Sequence, residues 1–259
     1  MPYFENKGIK IYYEIEGDGP PLVLIHGFSG NIEDSWKDSN LIETLKDRYK
    51  LILLDCRGHG RSDKPHGDSF YGYNMVNDLI QLLEHLSIKQ ANFLGYSMGA
   101  YLLFQLILKK PEIIICAILG GFVLTLEERE IAKATKNMEQ IIDAFKAESI
   151  DKVRKPIGRA FRLIAEQRGN DLLALAAVQT SWSKFSIPPA NLREVLKKIK
   201  VPVMTVVGSS EILLGDKTLV AQLVPDACHF QIQGKDHLNV TSDPKFHMVV
   251  RGFLALNNK

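Results

Sequence analysis

Cysteine is scarce in this chain of 259 residues: Cys56, Cys116 and Cys228 stand far apart, with no C-x-x-C pair and no cluster of histidines at metal-ligand spacing. Neither a disulfide framework nor a zinc site organises such a sequence, and no metal is expected. Long apolar runs are missing too. The longest, Ile113 to Leu124, has 12 residues, short of the roughly 20 that a membrane-spanning helix requires. Neither sign of charge is in excess: 32 Lys and Arg face 30 Asp and Glu, for a net charge of +2. That balance argues against a surface built for nucleic acid or anionic membrane. The amino terminus is polar from its first residues and lacks the apolar stretch of a secretory signal. What remains is an ordinary globular composition, 46% hydrophobic and 24% charged, in a chain long enough for one α/β unit with an insertion. We expect a soluble, cytoplasmic protein.

Short β-type runs alternate with amphipathic helical stretches, the pattern of a mostly parallel sheet flanked by helices. The expected strands are Ile9 to Ile15, Leu22 to His26, Leu51 to Asp55, Ala91 to Gly95, Ile114 to Leu119, Val203 to Val207 and His229 to Gln233. Several are apolar throughout, as strands covered on both faces should be. Met75, Leu79, Leu82, Leu83 and Leu86 recur at helical spacing, as do Leu192, Val195, Leu196 and Ile199. A last helix is expected behind Asp243 as its cap, with Pro244 in its first turn and Phe246, Val249, Val250 and Phe253 on one face.

The alternation breaks between about Phe122 and Pro188, where Ile131, Ala134, Met138, Ile141, Ile142 and Phe145 mark a helical pattern and no strand suggests itself. A helical insertion over 122–188, between core segments 1–121 and 189–259, is the simplest account. Within it Lys146, Lys152, Arg154, Lys155, Arg159, Arg162 and Arg168 outnumber Glu148, Asp151 and Glu166. The expected reading is a solvated helix face, as most charge runs are.

Gly95-Tyr96-Ser97-Met98-Gly99 fits G-x-S-x-G, with a strand leading in from Ala91 and a buried helix leading out to Leu108. In that setting the serine occupies a sharp strand-to-helix turn, where larger neighbours would clash. A serine hydroxyl is a poor nucleophile at neutral pH and needs a base oriented by a third group. Of seven histidines, His237 alone combines a place at the carboxyl edge of the sheet, just past the last strand, with the chain order serine, acid, histidine. His26, His59, His66, His85, His229 and His247 read as structural. For the acid, Glu211 follows the strand Val203 to Val207, and Asp216 competes from a helix start where capping would explain it. Two N–H groups are wanted for the developing negative charge, those of Met98 and of Phe28 in His26-Gly27-Phe28.

With these residues in view the chain resembles the α/β-hydrolases over nearly its whole length. Besides Gly95 to Gly99, the family's oxyanion turn has its counterpart in His26-Gly27-Phe28, and its D-x-R-G-x-G-x-S loop in Asp55-Cys56-Arg57-Gly58-His59-Gly60-Arg61-Ser62. The resemblance implies an eight-stranded, mostly parallel sheet, one strand more than the seven expected above: either the first two are the halves of Phe4 to Glu16 or a further strand lies elsewhere, with the insertion as a helical cap over the serine. It also implies a cofactor-free acyl-enzyme mechanism on a small carboxylic ester, in which Glu211 stands where aspartate is more usual. Serine at the elbow argues against the haloalkane dehalogenases and epoxide hydrolases of this fold, which use aspartate. Diketone carbon-carbon hydrolases, often with asparagine at the position of Tyr96, share the triad, as do thioesterases and lactonases. A small-molecule receptor with slow hydrolysis is the expectation of a different class.

Overall fold

Lys7 and Gly8, both at positive φ (54° and 77°), close a two-residue turn that folds the amino terminus into a hairpin. The computed structural model describes residues 2–182 and 189–258. In it β1 (Tyr3–Asn6) pairs antiparallel with β2 (Ile9–Glu16), which pairs antiparallel with β4 (Lys50–Leu54). The first two strands are thus the two halves of the segment from Phe4 to Glu16. From β4 onward every pairing is parallel: β3 (Pro21–Ile25), β5 (Ala91–Tyr96), β6 (Ile114–Gly120), β7 (Val203–Ser210) and β8 (Cys228–Asp236) complete an eight-stranded sheet ordered β1-β2-β4-β3-β5-β6-β7-β8.

Period-two alternation sorts the buried strand residues between two faces. Val23, Ile25, Ile52, Leu54 and Phe93 join one cluster, which packs under α2 (Tyr73–His85) and α3 (Met98–Lys109). Leu22, Leu24, Leu51, Leu53 and Leu94 join the other, under α1 (Leu41–Leu45) and the carboxyl-terminal helix. Covered on both sides, β5 is buried along its whole length. The chain leaves β3 for β4 on one side and returns to β5 on the other, so the connections diverge at the carboxyl ends of β3 and β5. That divergence opens the crevice in which sheets of this kind bind ligands.

Between β6 and β7 lie α4 (Glu128–Lys146), α5 (Pro156–Gln167), α6 (Leu172–Trp182) and α7 (Pro189–Lys197). Among the described residues this stretch holds no strand, only an isolated bridge from Leu124 to Asp216. Ile141, Phe145, Ala165, Leu175 and Ala176 form a small core of its own, and the Phe28 ring reaches up to join it. Beyond β7, α8 (Leu219–Leu223) precedes β8, and α9 (Pro244–Asn257) ends the fold with Asp243 accepting the Lys245 N–H at 2.8 Å.

Two expectations need correction. The last two strands run further than their apolar segments: β7 continues through Gly208 and Ser209 to Ser210, and β8 through Gly234 to Asp236, because pairing resumes past a bulge, Gly208 opposite Ile232 and then Ser210 opposite Asp236. The basic run is not all solvated face. Arg162 is 5% exposed and donates to the carbonyls of Ala144 (2.7 Å) and Ala147 (2.6 Å) and to Glu166 (2.7 Å). It thereby satisfies carbonyls at the end of α4 that have no helical partner. Arg162→Ala should therefore destabilise the protein by about 2–3 kcal/mol, whereas Arg159→Ala, at an exposed position, should stay within about 0.5 kcal/mol. Urea denaturation of the two variants checks this, and equal midpoints would refute it.

Candidate active site

The turn after β5 is forced by contact as well as by residue type. A Cβ on Gly95 would lie 2.3 Å from the Gly99 carbonyl oxygen, and one on Gly99 2.0 Å from that of Ile25. Only glycine lets α3 start this close to β3 and β5. Ser97 sits between them at φ 51°, ψ −115°, a conformation that the surrounding structure must impose. Its N–H is tied to the Gly120 carbonyl at 2.8 Å, and the side chain stands at the head of α3.

The structure brings Ser97, His237 and Glu211 together. Ser97 Oγ lies 2.9 Å from His237 Nε2, and His237 Nδ1 lies 2.9 Å from the Glu211 carboxylate. With Nδ1–H donating to the carboxylate, Nε2 is free to accept the serine proton. Glu211 turns back on the chain: its N–H reaches the Gly208 carbonyl at 3.2 Å, and Oε1 accepts the N–H groups of Ile212 (2.8 Å) and Leu213 (3.0 Å). This folded conformation absorbs the methylene by which glutamate exceeds aspartate. Burial opposes ionisation of Glu211, but its hydrogen bond to His237, the histidine's charge and the two backbone N–H groups outweigh it, holding the carboxyl below its ordinary value. Asp216 is occupied elsewhere, accepting from Thr218 N and Oγ, both at 2.7 Å, at the start of α8.

Phe28 follows β3 in a turn closed by Gly30 N–H to Gly27 O at 3.1 Å. A Cβ on Gly27 would stand 3.4 Å from that of Ser97, so the turn borders the serine. Neither Phe28 N–H nor Met98 N–H has a hydrogen-bond partner among the described residues. Met98 opens α3, where the helix supplies none, and Phe28 occupies a turn position whose N–H the turn does not use.

The supporting shell comes from the loop after β4. His26 donates from Nδ1 to Gly27 O (2.8 Å) and accepts the Cys56 N–H at Nε2 (2.9 Å), stapling the two loops. Asp55, 1% exposed, accepts from Ile32 N and from Arg61 N and Nε, and Arg57 grips buried Asp78 with two bonds of 2.6 Å. Next to His26, fully buried His59 donates from Nδ1 to Arg57 O (3.1 Å), and its Nε2 has no partner among the described residues. Burial, then the nearby His26, pushes the His59 pKa down to about 3. A histidine depressed in the folded state stabilises it fully above its unfolded pKa, roughly 6.5, and that contribution is lost as pH falls toward the folded value. Unfolding free energy should therefore decline from about pH 6 to pH 4, and His59→Leu should reduce the slope by up to about 1.4 kcal/mol per pH unit. Urea midpoints at three pH values would test this; parallel curves for the two proteins would contradict it.

Sequence reading missed two features. Tyr96 donates its hydroxyl to the His237 carbonyl at 2.6 Å, with the two rings 5.3 Å apart. Nothing in the sequence signals this contact. The His237 loop is also braced by a reciprocal pair, Asp236 N–H to Asn239 Oδ1 (3.0 Å) and Leu238 and Asn239 N–H to Asp236 Oδ1 (2.8 and 3.1 Å). The spacing Asp236-His237-Leu238-Asn239 is an Asx-turn signal that local reasoning could have found. Among the described residues no group of three His, Cys, Asp or Glu side chains is placed to hold a metal ion, and no helix is long and apolar enough to cross a membrane.

Comparison with known proteins adds four findings. A family model described as the alpha/beta hydrolase fold matches residues 20–158. The hydrolase YugF of Bacillus subtilis (strain 168), itself of uncharacterised activity, is 34% identical over 112 residues, 42% of this chain and 40% of that protein. Among solved structures, a hydrolase from Pseudomonas aeruginosa PA01 superposes with a TM-score of 0.79 at 21% identity over 97% of each chain. The enol-lactonase of Burkholderia xenovorans LB400 does so with a TM-score of 0.71 at 22% identity, over 98% of this chain and 100% of that one.

Proposed function

We propose that this chain, which belongs to the α/β-hydrolase family, is a serine hydrolase of small carboxylic esters. The observation that carries the reading is the unbroken relay from Ser97 Oγ through His237 to Glu211, with both links at 2.9 Å, beside two unused N–H groups. Ser97 Oγ attacks the ester carbonyl as His237 Nε2 takes its proton, and Glu211 stabilises the imidazolium so formed. The tetrahedral oxyanion is held by the N–H groups of Phe28 and Met98. Collapse expels the alcohol, protonated by His237, and leaves an acyl-serine, which a water activated by His237 hydrolyses.

The insertion over 122–188 is read as a cap that shapes the acyl pocket, since Phe28 joins its small core and lies 6.0 Å from Phe145 and 6.4 Å from Phe161, ring to ring. An ester is preferred over a vinylogous diketone because Tyr96 stands where the diketone hydrolases of this fold often carry asparagine.

Chromogenic esters graded by acyl length, assayed beside a diketone and an acyl thioester, test the proposal. Repeated turnover is expected on a short acyl ester at a kcat/KM well above that for the other two. Preferred turnover of the diketone or thioester would reassign the reaction. A saturable thermal shift without steady-state turnover would point to a receptor.

A further inference from the structure

Ser29, immediately after Phe28, is 3% exposed and holds φ at 62°. Residues with a side chain occupy that left-handed region mainly where their surroundings hold them there. Here the holding groups come from the insertion. Asn170 Nδ2 donates to Ser29 O (3.0 Å) and lies 3.1 Å from Ser29 Oγ, while Arg168 Nη1 donates to Ser29 O at 3.3 Å. Arg168 Nε also faces Asp34 Oδ2 at 3.6 Å, and Asp34 in turn accepts the Asn31 N–H at 2.9 Å.

Asn170 is itself set in place. The end of α5 closes with Gly169 at φ 65°, Gly169 N–H to Glu166 O (3.0 Å) and Asn170 N–H to Ala165 O (2.9 Å), the paired bonds of a helix-terminating motif. Its side chain therefore leaves a rigid helix end and lands on the turn that follows β3. That turn is gripped twice from the same side, at the Ser29 carbonyl by Asn170 and Arg168 and at the Phe28 ring by Phe145 and Phe161.

From this we propose that Asn170 is a positioning residue for the oxyanion hole: the insertion fixes the direction of the Phe28 N–H through Ser29, and so sets the rate of the chemical step as well as substrate choice. The proposal rests on the reading of Phe28 and Ser97 given above. Freed of its clamp, Ser29 can relax to negative φ, which reshapes the turn closed by Gly30 N–H on Gly27 O and so shifts the Gly27–Phe28 peptide that carries the Phe28 N–H. A donor so displaced loses more toward the tetrahedral oxyanion than toward the planar ester.

The test uses Asn170→Asp, which keeps the shape but sets a carboxylate oxygen against the Ser29 carbonyl, together with Asn170→Ala, Arg168→Gln and Ser97→Ala in the full chain. On the best ester of the graded series, Asn170→Asp should lower kcat about tenfold with KM within about twofold. The inhibition constant of a trifluoromethyl ketone, which mimics the tetrahedral species, should rise by about the same factor. Asn170→Ala should follow with a smaller loss, and Arg168→Gln with about twofold. Should Asn170→Asp fail to fold by circular dichroism, the two donor-removing variants carry the same comparison. A rise in KM alone, or kcat and inhibition constant both unmoved, would overturn the proposal and leave Asn170 as a docking contact. Full activity in Ser97→Ala would instead overturn the underlying reading of the site, and the two failures are thus distinct.

Discussion

Ser97→Ala should abolish ester turnover, a loss of about 10⁶-fold in kcat to the residue that binding and the oxyanion donors alone provide. The hydroxyl is the attacking atom, and among the described residues it is the one hydroxyl hydrogen-bonded to His237 Nε2. The fold should be unaffected, because alanine leaves φ at 51° as strained as before and removes one oxygen. An organophosphonate should add one adduct per wild-type chain, at Ser97 by peptide mass mapping, and none to the variant. Retained turnover in purified Ser97→Ala, or an adduct on a different residue, would end the mechanism.

Glu211→Gln should lower kcat by about 10³–10⁴-fold with little change in KM. The amide keeps the shape but brings no charge to the imidazolium. The N–H groups of Ile212 and Leu213, which donate to Glu211 Oε1, also hold the amide oxygen on their side and turn the NH2 toward His237, disturbing the ring's tautomer. Asp216→Asn should spare the rate and cost about 1 kcal/mol of stability at most, since that carboxylate serves the start of a helix. Comparison at matched folded fraction decides between them. An active Glu211→Gln beside a crippled Asp216→Asn would move the acid's role to Asp216.

Much of this arrangement was legible in the sequence because local signals carry it. Apolar runs such as Leu51 to Leu54 fit only a doubly covered strand, and Gly95, Ser97 and Gly99 mark a turn in which two close approaches exclude side chains. His237 and Glu211 could be nominated because position at a strand's end follows from the strand's own pattern. What stayed hidden depends on contacts between distant segments. Arg162 looks like its charged neighbours, and its burial becomes affordable only when the end of α4 supplies carbonyls to its guanidinium. The extension of β8 to Asp236 is invisible because Gln231, Gln233 and Lys235 are polar, as an edge strand tolerates, and pairing rather than hydropathy maintains it. The Tyr96 bond to the His237 carbonyl joins positions 141 residues apart, and nothing in either neighbourhood announces it.

The site's atoms all come from one rim of the sheet, just past the carboxyl ends of β3, β5, β7 and β8. The opposite rim is consequently at liberty to serve endurance. Four of its connections, Asp18 to Pro20 before β3, Lys110 and Pro111 before β6, Lys200 to Pro202 before β7 and Pro225 to Ala227 before β8, already carry a proline each and lie a full strand length from Ser97. Selection for durability and selection for chemistry can act on this molecule with little mutual interference, because a sheet of parallel strands sends its beginnings and its ends to different neighbourhoods. A lineage can harden one rim against heat while the other, with the insertion beside it, is remodelled for a new substrate.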